Sequence, residues 1–244
     1  MKISMKEQCS ILDYGIHLLE KREIEYWLDC GTLLGIVRDQ NLLPWDNDLD
    51  ISILRQDLSD LDLDFIVNKA RSDDYIVNVY NSCISIVKED YVFDIKLFDK
   101  IDDFVREKKL MPKNSFSSMV GFTAHCLSSK YETHREGKNF FNRIIIKLIK
   151  NLSLALPRIF KSRLAKPITS LYENYLTHDI SEAVPFHFFK DFEKLSFNGK
   201  QYTVPIRSQD YLAFRYGVNW RIPDKEWVTE RDDGAYLYNK ERSK

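Results

Sequence analysis

The sequence predicts an α+β fold, in which helices flank a mixed sheet and an additional, mainly helical region is present. Three observations indicate this class. Of the 244 residues, 44% are apolar and 13% are aromatic, which is enough for a substantial hydrophobic core. Strand patterns of period two alternate with helical patterns in the first part of the chain. Only 8 Gly and 7 Pro are present, so long flexible linkers and repeat arrays are disfavoured.

The first elements follow from local signals. Ser4 with Glu7 forms a capping-box pattern, and apolar residues at helical spacing extend a first helix to about residue 22. A short strand over 24–30 is separated by Gly31 from a helix that begins near Thr32. The next elements are a strand over 48–53, a helix over 58–71, and strands over 75–80, 83–87 and 91–98.

The character of the chain changes after these strands. The segment 138–172 contains eight Lys or Arg residues and no Asp or Glu, with Ile, Leu and Phe interleaved. The tail is mixed again, with a helix over 208–216 that ends at Gly217. The predicted organisation is a core over 1–110, a basic helical insert over 111–190, and a segment over 191–244 that completes the core domain.

Charge and cysteine usage narrow the class of protein. Lys and Arg number 36 against 37 Asp and Glu, so the net charge of −1 disfavours a nucleic-acid binder and we expect no nucleic-acid partner. The four cysteines lie far apart and show no zinc-site spacing, which indicates free thiols in a reducing cytosol. The amino terminus is charged and no apolar run is long enough to span a membrane, so a cytoplasmic protein is expected.

Three carboxylates form the candidate catalytic cluster. On a strand, Asp48 and Asp50 project from one face about 7 Å apart, while Leu49 and its alternate neighbours enter the core. Such a pair suits a hard cation, Mg²⁺ or Mn²⁺, although a lone Asp-x-Asp is more often a solvated strand edge. Asp94 lies between apolar neighbours, where an unpaired charge is costly, so it needs either a metal or an ion pair with Lys96.

Four further residues are candidate phosphate-binding groups. Gly31 and Thr32 form a turn from strand to helix, where glycine lets the backbone approach a phosphate. Lys96 shares the face of Asp94. Arg38 is a candidate phosphate clamp, with a surface ion pair to Asp39 or Asp46 as an equal alternative.

These residues carry a family resemblance. The run Trp27-Leu-Asp-Cys-Gly-Thr-Leu-Leu-Gly-Ile-Val-Arg38 is followed by Leu43-Pro-Trp-Asp-Asn-Asp-Leu-Asp-Ile51. Together they resemble the signature of the LicD family, which includes the fukutin-related transferases, within the nucleotidyltransferase superfamily. The tail is also similar to the closing pattern of the family, through Val204-Pro205, Tyr211-Leu212, Tyr216-Gly217, Trp220 and Pro223.

The resemblance implies a nucleotidyltransferase-type fold and a phosphotransferase activity. Family members move phosphocholine, glycerol phosphate or ribitol phosphate from a CDP-linked donor to a glycan hydroxyl, and CMP leaves. By the same resemblance, Gly31 and Thr32 match the phosphate-binding turn, and Asp48, Asp50 and Asp94 hold two Mg²⁺ ions. Asp94 is also a candidate general base for the acceptor hydroxyl. No zinc site is assigned.

Two other functions remain open on the sequence: transfer of a nucleoside monophosphate from an NTP, and a catalytically silent partner in glycan assembly. The basic segment 138–172 also leaves two alternatives. It either lies on the cytoplasmic face of an anionic membrane, which suits a lipid-linked glycan acceptor, or forms helices packed on the sheet with a solvated basic face.

Overall fold

The computed structural model describes residues 5–46, 48–89, 91–131 and 140–242. The chain divides into two compact units, one made of residues 1–109 and 181–244, the other of residues 110–180. The predicted capping pattern at Ser4 lies outside the described residues.

The elements alternate in the first unit and are mainly helical in the second. The first unit begins with α1 (Met5–Glu20), β1 (Trp27–Leu28), α2 (Cys30–Asp39), β2 (Asp48–Leu54), α3 (Asp60–Ser72), β3 (Ile76–Val79), β4 (Cys83–Lys88), β5 (Tyr91–Ile101) and β6 (Phe104–Glu107). The second unit contains β7 (Leu110–Pro112), α4 (Ser115–Ser128), α5 (Phe140–Ala155), α6 (Arg158–Tyr175) and β8 (Thr177–Asp179). The first unit then ends with β9 (Glu182–Pro185), β10 (Phe192–Phe197), β11 (Lys200–Pro205), α7 (Ser208–Tyr216), α8 (Thr229–Asp232) and α9 (Gly234–Arg242).

A mixed sheet organises the first unit. Its strands lie in the order β1-β2-β5-β4-β3, and β6 and β9 extend it from β5. The pair β2 and β5 is parallel, whereas the other pairs of this sheet are antiparallel. The predicted α+β class with a mixed sheet flanked by helices is therefore confirmed.

One face of this sheet forms the core. Ile51 of β2 lies opposite Ile95 of β5, and both are fully buried. Helix α1 covers this face closely, because Gly15 approaches the ring of Phe93 so tightly that a Cβ would lie 2.1 Å from the ring. The opposite face carries the polar side chains, including Asp50 and Asp94, which are paired in the register.

Local signals placed most elements of the first unit, with one correction. The strand predicted over 24–30 is only Trp27–Leu28. Asp29 ends it because its carboxylate accepts the N–H of Cys30 and caps α2, which begins two residues before Thr32. Near the carboxyl terminus, α7 ends as predicted at Gly217, whose φ of 81° is unfavourable for other residues.

The second unit is a helical group with a short hairpin of β7 and β8. Pro157 is the N-cap residue of α6 and lies between α5 and α6. Within the described ranges, no helix is both long and apolar enough to span a membrane.

Candidate active site

The turn between β1 and α2 is built around the buried carboxylate of Asp29. This carboxylate accepts hydrogen bonds from the hydroxyls of Ser52 and Tyr211, both at 2.5 Å, and from the N–H of Cys30 at 2.7 Å. Burial alone would raise the pKa of Asp29, but the positive charges of Arg215 and Lys96 hold it below its ordinary value. Asp29 therefore remains ionised and fixes the start of the helix.

The predicted phosphate-binding turn lies in the first turn of α2. The hydroxyl of Thr32 accepts the backbone N–H of Asp50 at 2.8 Å, and the backbone N–H of Asp29 donates to the carbonyl of Asp50 at 3.2 Å. At Gly31, a Cβ would lie 2.1 Å from a carboxylate oxygen of Asp46. Thr32 thus holds the first turn of α2 against β2, and Gly31 leaves space for Asp46. Contact of Gly31 and Thr32 with phosphate stays a prediction.

The three predicted carboxylates lie on one face of two adjacent strands. Asp50 is directly opposite Asp94 in the parallel register, and Asp48 precedes Asp50 by two positions, which returns it to the same face. Asp48 is exposed, whereas Asp50 and Asp94 are half-buried. The hydroxyl of Ser85 donates to Asp94 at 2.5 Å from the neighbouring strand β4.

Negative charge is in excess at this cluster. Burial raises the pKa of Asp50 well above its ordinary value, and the charges of Asp94 and Asp29 raise it further against the effect of Lys96. Burial also raises the pKa of Asp94, and the charge of Asp48 adds to it. Carboxylates that disfavour one another's ionisation in this way are stabilised by an added cation.

The carboxylates fit a magnesium site whose remaining oxygen ligands come from a bound phosphate and from water. Mg²⁺ uses one or two protein carboxylates and takes its other oxygens from phosphate and water, and Asp50 with Asp94 supplies such a pair. Among the described side chains, no three His, Cys, Asp or Glu groups are gathered closely enough to hold an ion by themselves. Binding of a cation by Asp48, Asp50 and Asp94 together remains a prediction.

The two predicted basic contacts have protein partners. Arg38 forms a two-point ion pair with Asp39, with both N–O distances at 2.8 Å, which is the alternative foreseen from the sequence. Lys96 is buried and lies 2.8 Å from Glu182 and 3.0 Å from Glu107. A phosphate contact by Lys96 would require its ammonium to leave both glutamates.

A buried ionic network lies beneath the site. The guanidinium of Arg215, from α7, is 2.6 Å from Asp233, 2.8 Å from Glu182 and 3.3 Å from Asp29. Glu182 also binds Lys96, so the two cations share this carboxylate. The network therefore connects the carboxyl-terminal helices with the cap of α2 and, through Thr32, with Asp50.

Sequence reasoning singled out Lys96 but missed the other residues of this network. Asp29 lies inside the motif that identified the site, yet its role depends on Tyr211 and Arg215, which are 182 and 186 positions away. Arg215 lies in the helix predicted over 208–216, but nothing in that pattern indicated its buried partners. Asp46 was seen as part of the acidic run, but its packing against Gly31 could not be read from spacing.

A model of one protein family matches part of this chain. Residues 23–88 match the family model described as LicD/FKTN/FKRP, nucleotidyltransferase domain. The predicted resemblance to the LicD family is confirmed. The matched segment runs from before β1 to the end of β4, so it contains Gly31, Thr32, Asp48 and Asp50 and ends before Asp94.

Two curated relatives are similar to this chain over short stretches. The chain is 38% identical over 60 residues to the lipopolysaccharide cholinephosphotransferase LicD of Haemophilus influenzae, which covers 23% of each protein. It is 40% identical over 45 residues to the human ribitol 5-phosphate transferase FKRP, which covers 18% of this chain and 9% of FKRP. The matches thus span less than a quarter of either relative.

Among solved structures, the antibiotic-resistance factor ANT(2″)-Ia aligns over 70% of this chain and 95% of its own. The identity is 13% and the TM-score is 0.34.

Proposed function

We propose that this protein is a metal-dependent phosphotransferase that moves a phospho-alcohol from a CDP-linked donor to a hydroxyl of a glycan and releases CMP. The observation that carries the proposal is the pairing of Asp50 with Asp94 on adjacent strands, inside and just beyond the LicD-like segment. The names of the relatives, a cholinephosphotransferase and a ribitol 5-phosphate transferase, support phosphocholine and ribitol phosphate as transferred groups.

Asp50 and Asp94, with Asp48 at the open end, would hold Mg²⁺ or Mn²⁺ in this proposal. The ion supplies positive charge that offsets the diphosphate of the donor. The protein contributes fixed positions, because Thr32 and Asp29 anchor the backbone of Asp50 from both sides. The first turn of α2, which contains Gly31 and Thr32, would also present the positive end of its helix dipole to the donor phosphates.

Asp94 is the candidate general base. Ser85 fixes the orientation of this carboxylate, and an oxygen of Asp94 that is not bound to the ion would accept the proton. The acceptor oxygen would form the new bond to the phosphorus that bears the alcohol while its proton passes to Asp94. The bond from that phosphorus to the oxygen of the CMP phosphate breaks, and CMP leaves.

A donor panel tests the reaction. CMP release is measured with CDP-choline, CDP-glycerol, CDP-ribitol and CDP-ethanolamine in the presence of Mg²⁺, and labelled NTPs are run in parallel. The proposal expects CMP from at least one CDP-alcohol. Release of pyrophosphate from an NTP, without CMP release from the panel, would instead show nucleotidyl transfer.

Asp48→Asn and Asp50→Asn test the site. Each change removes a charge with almost no change in shape, so turnover is expected to be lost while the folded structure is retained. Asp60→Asn, at an exposed position in the first turn of α3, is the matched control and should leave turnover unchanged. Full activity in Asp50→Asn with the fold intact would refute the assignment.

A further inference from the structure

The helices α5 and α6 expose large apolar side chains to solvent. On α5, Ile144, Leu148 and Leu152 follow one another at intervals of four residues, which places them along one side of the helix. On α6, Phe160 and Leu164 begin a second exposed row. Leu152 is 65% exposed and Phe160 is 54% exposed, so these residues do not belong to the core of the unit.

The same helices carry a concentrated positive charge. Together α5 and α6 contain seven Lys or Arg residues and one acidic residue, Glu173 near the end of α6. With Lys138, the segment 138–172 holds eight of the 36 basic residues, which leaves 28 basic and 37 acidic residues in the rest of the chain. The charge of the protein is therefore strongly polarised, although its net value is only −1.

We propose that the exposed apolar and basic side chains of α5 and α6, here called the α5–α6 surface, bind the interface of an anionic lipid bilayer. An anionic bilayer satisfies both features, because the apolar side chains enter the boundary of the acyl chains and the cations meet the lipid phosphates. In the proposed contact, the α5–α6 surface lies on the bilayer and does not cross it.

Other occupants fit these features less well. A second copy docked through the same surface would bring seven positive charges against seven, with Glu173 as the one acidic residue of α5 and α6 on each copy. A nucleic acid would pair with the cations but would leave Leu152, Phe160 and their neighbours in water. Charge and apolarity together therefore favour lipid.

Vesicle flotation of the whole protein tests the proposal. Vesicles of phosphatidylcholine alone are compared with vesicles that also contain phosphatidylglycerol, at low and at high salt. The protein is expected to float with the anionic vesicles only, and less at 1 M salt, where the Debye length falls to about 3 Å from about 10 Å at 0.1 M. Failure to float with anionic vesicles at low salt would overturn the proposal.

Charge reversal tests the electrostatic contribution to vesicle binding. Changing Lys147, Lys150, Arg158 and Lys161 to Glu is expected to weaken partitioning to anionic vesicles on the order of a thousandfold or more. CMP release with a soluble acceptor should be unchanged, since these residues lie outside the candidate active site. Flotation that survives all four reversals would contradict the proposal.

Apolar substitution separates lipid insertion from simple charge attraction. The double variant Leu148→Ser, Leu152→Ser is compared with Leu61→Ser, because Leu61 on α3 is also an exposed helical leucine, at 74%. Partitioning is expected to fall at least tenfold in the double variant and to stay unchanged in Leu61→Ser. Equal partitioning of both variants, or a wild-type protein that dimerises in light scattering and does not float, would refute lipid as the occupant.

Discussion

Arg215→Met is expected to destabilise the first unit strongly. The guanidinium of Arg215 is 2% exposed and contacts three buried carboxylates, those of Asp29, Glu182 and Asp233. Methionine replaces the aliphatic part of the side chain but carries no guanidinium and no charge, so the variant leaves these acids with Lys96 as the remaining buried cation of the network. Loss of one partner from a buried ionic cluster costs about 3 to 5 kcal/mol.

The pKa of Glu182 gives this effect a pH dependence. Burial would raise this pKa, but Arg215 and Lys96 lower it from 4.5 to about 2. Lys96 stays in the variant, so loss of Arg215 removes part of this lowering and the pKa of Glu182 rises. Because the folded pKa is the lower one, the stabilisation from this lowering is present above pH 4.5 and is lost as the pH falls towards 2.

Tryptophan fluorescence during urea unfolding measures the effect. All four tryptophans lie in the first unit, at positions 27, 45, 220 and 227, so the signal reports on this unit alone. At pH 7 we expect Arg215→Met to lower the free energy of unfolding by about 3 kcal/mol or more. Between pH 5 and pH 3 the wild-type protein should lose stability more steeply than the variant, because the variant no longer holds the pKa of Glu182 as low.

Arg207→Met is the matched control. Arg207 is half-exposed and pairs with Asp210, which is also exposed, so its loss should cost less than about 1 kcal/mol. If Arg215→Met does not fold, Arg215→Lys keeps the charge but loses the forked contacts and should lie between the two. A variant Arg215→Met that is as stable as Arg207→Met would refute the reasoning.

Three further predictions concern the site. Thr32→Val should lower the free energy of unfolding by about 1 to 3 kcal/mol, because the N–H of Asp50 loses its acceptor, whereas Thr32→Ser should stay close to wild type in urea unfolding. Gly31→Ala should reduce CMP release, because its Cβ would displace the side chain of Asp46, and should change the melting temperature little. Gly35→Ala should lower the melting temperature clearly, because its Cβ would lie 2.6 Å from a backbone carbonyl oxygen. Chelation with EDTA should abolish CMP release, and added Mg²⁺ or Mn²⁺ should restore it; turnover that persists after exhaustive chelation would exclude the metal.

The sequence by itself determined the strands that carry the candidate carboxylates and the faces on which these lie. Alternation of Asp48, Leu49, Asp50 and Ile51 was sufficient, because a strand places successive side chains on opposite faces and water sorts them by polarity. The end of α7 at Gly217 was equally local, since it depends on the backbone freedom of one residue. The resemblance to the LicD family also came from contiguous runs of residues.

Only the tertiary structure decided which charges meet. Asp29 was expected within a strand and instead caps α2, while Arg215 reaches it from 186 positions away. The choice of Glu182 as partner of Lys96, across 86 positions, is equally invisible to local periodicity. Whether Leu152 is buried or exposed could not be predicted either. An apolar pattern indicates a surface that avoids water, but it does not indicate what covers that surface. Local patterns fix the direction of a side chain, whereas its partner depends on how distant segments pack.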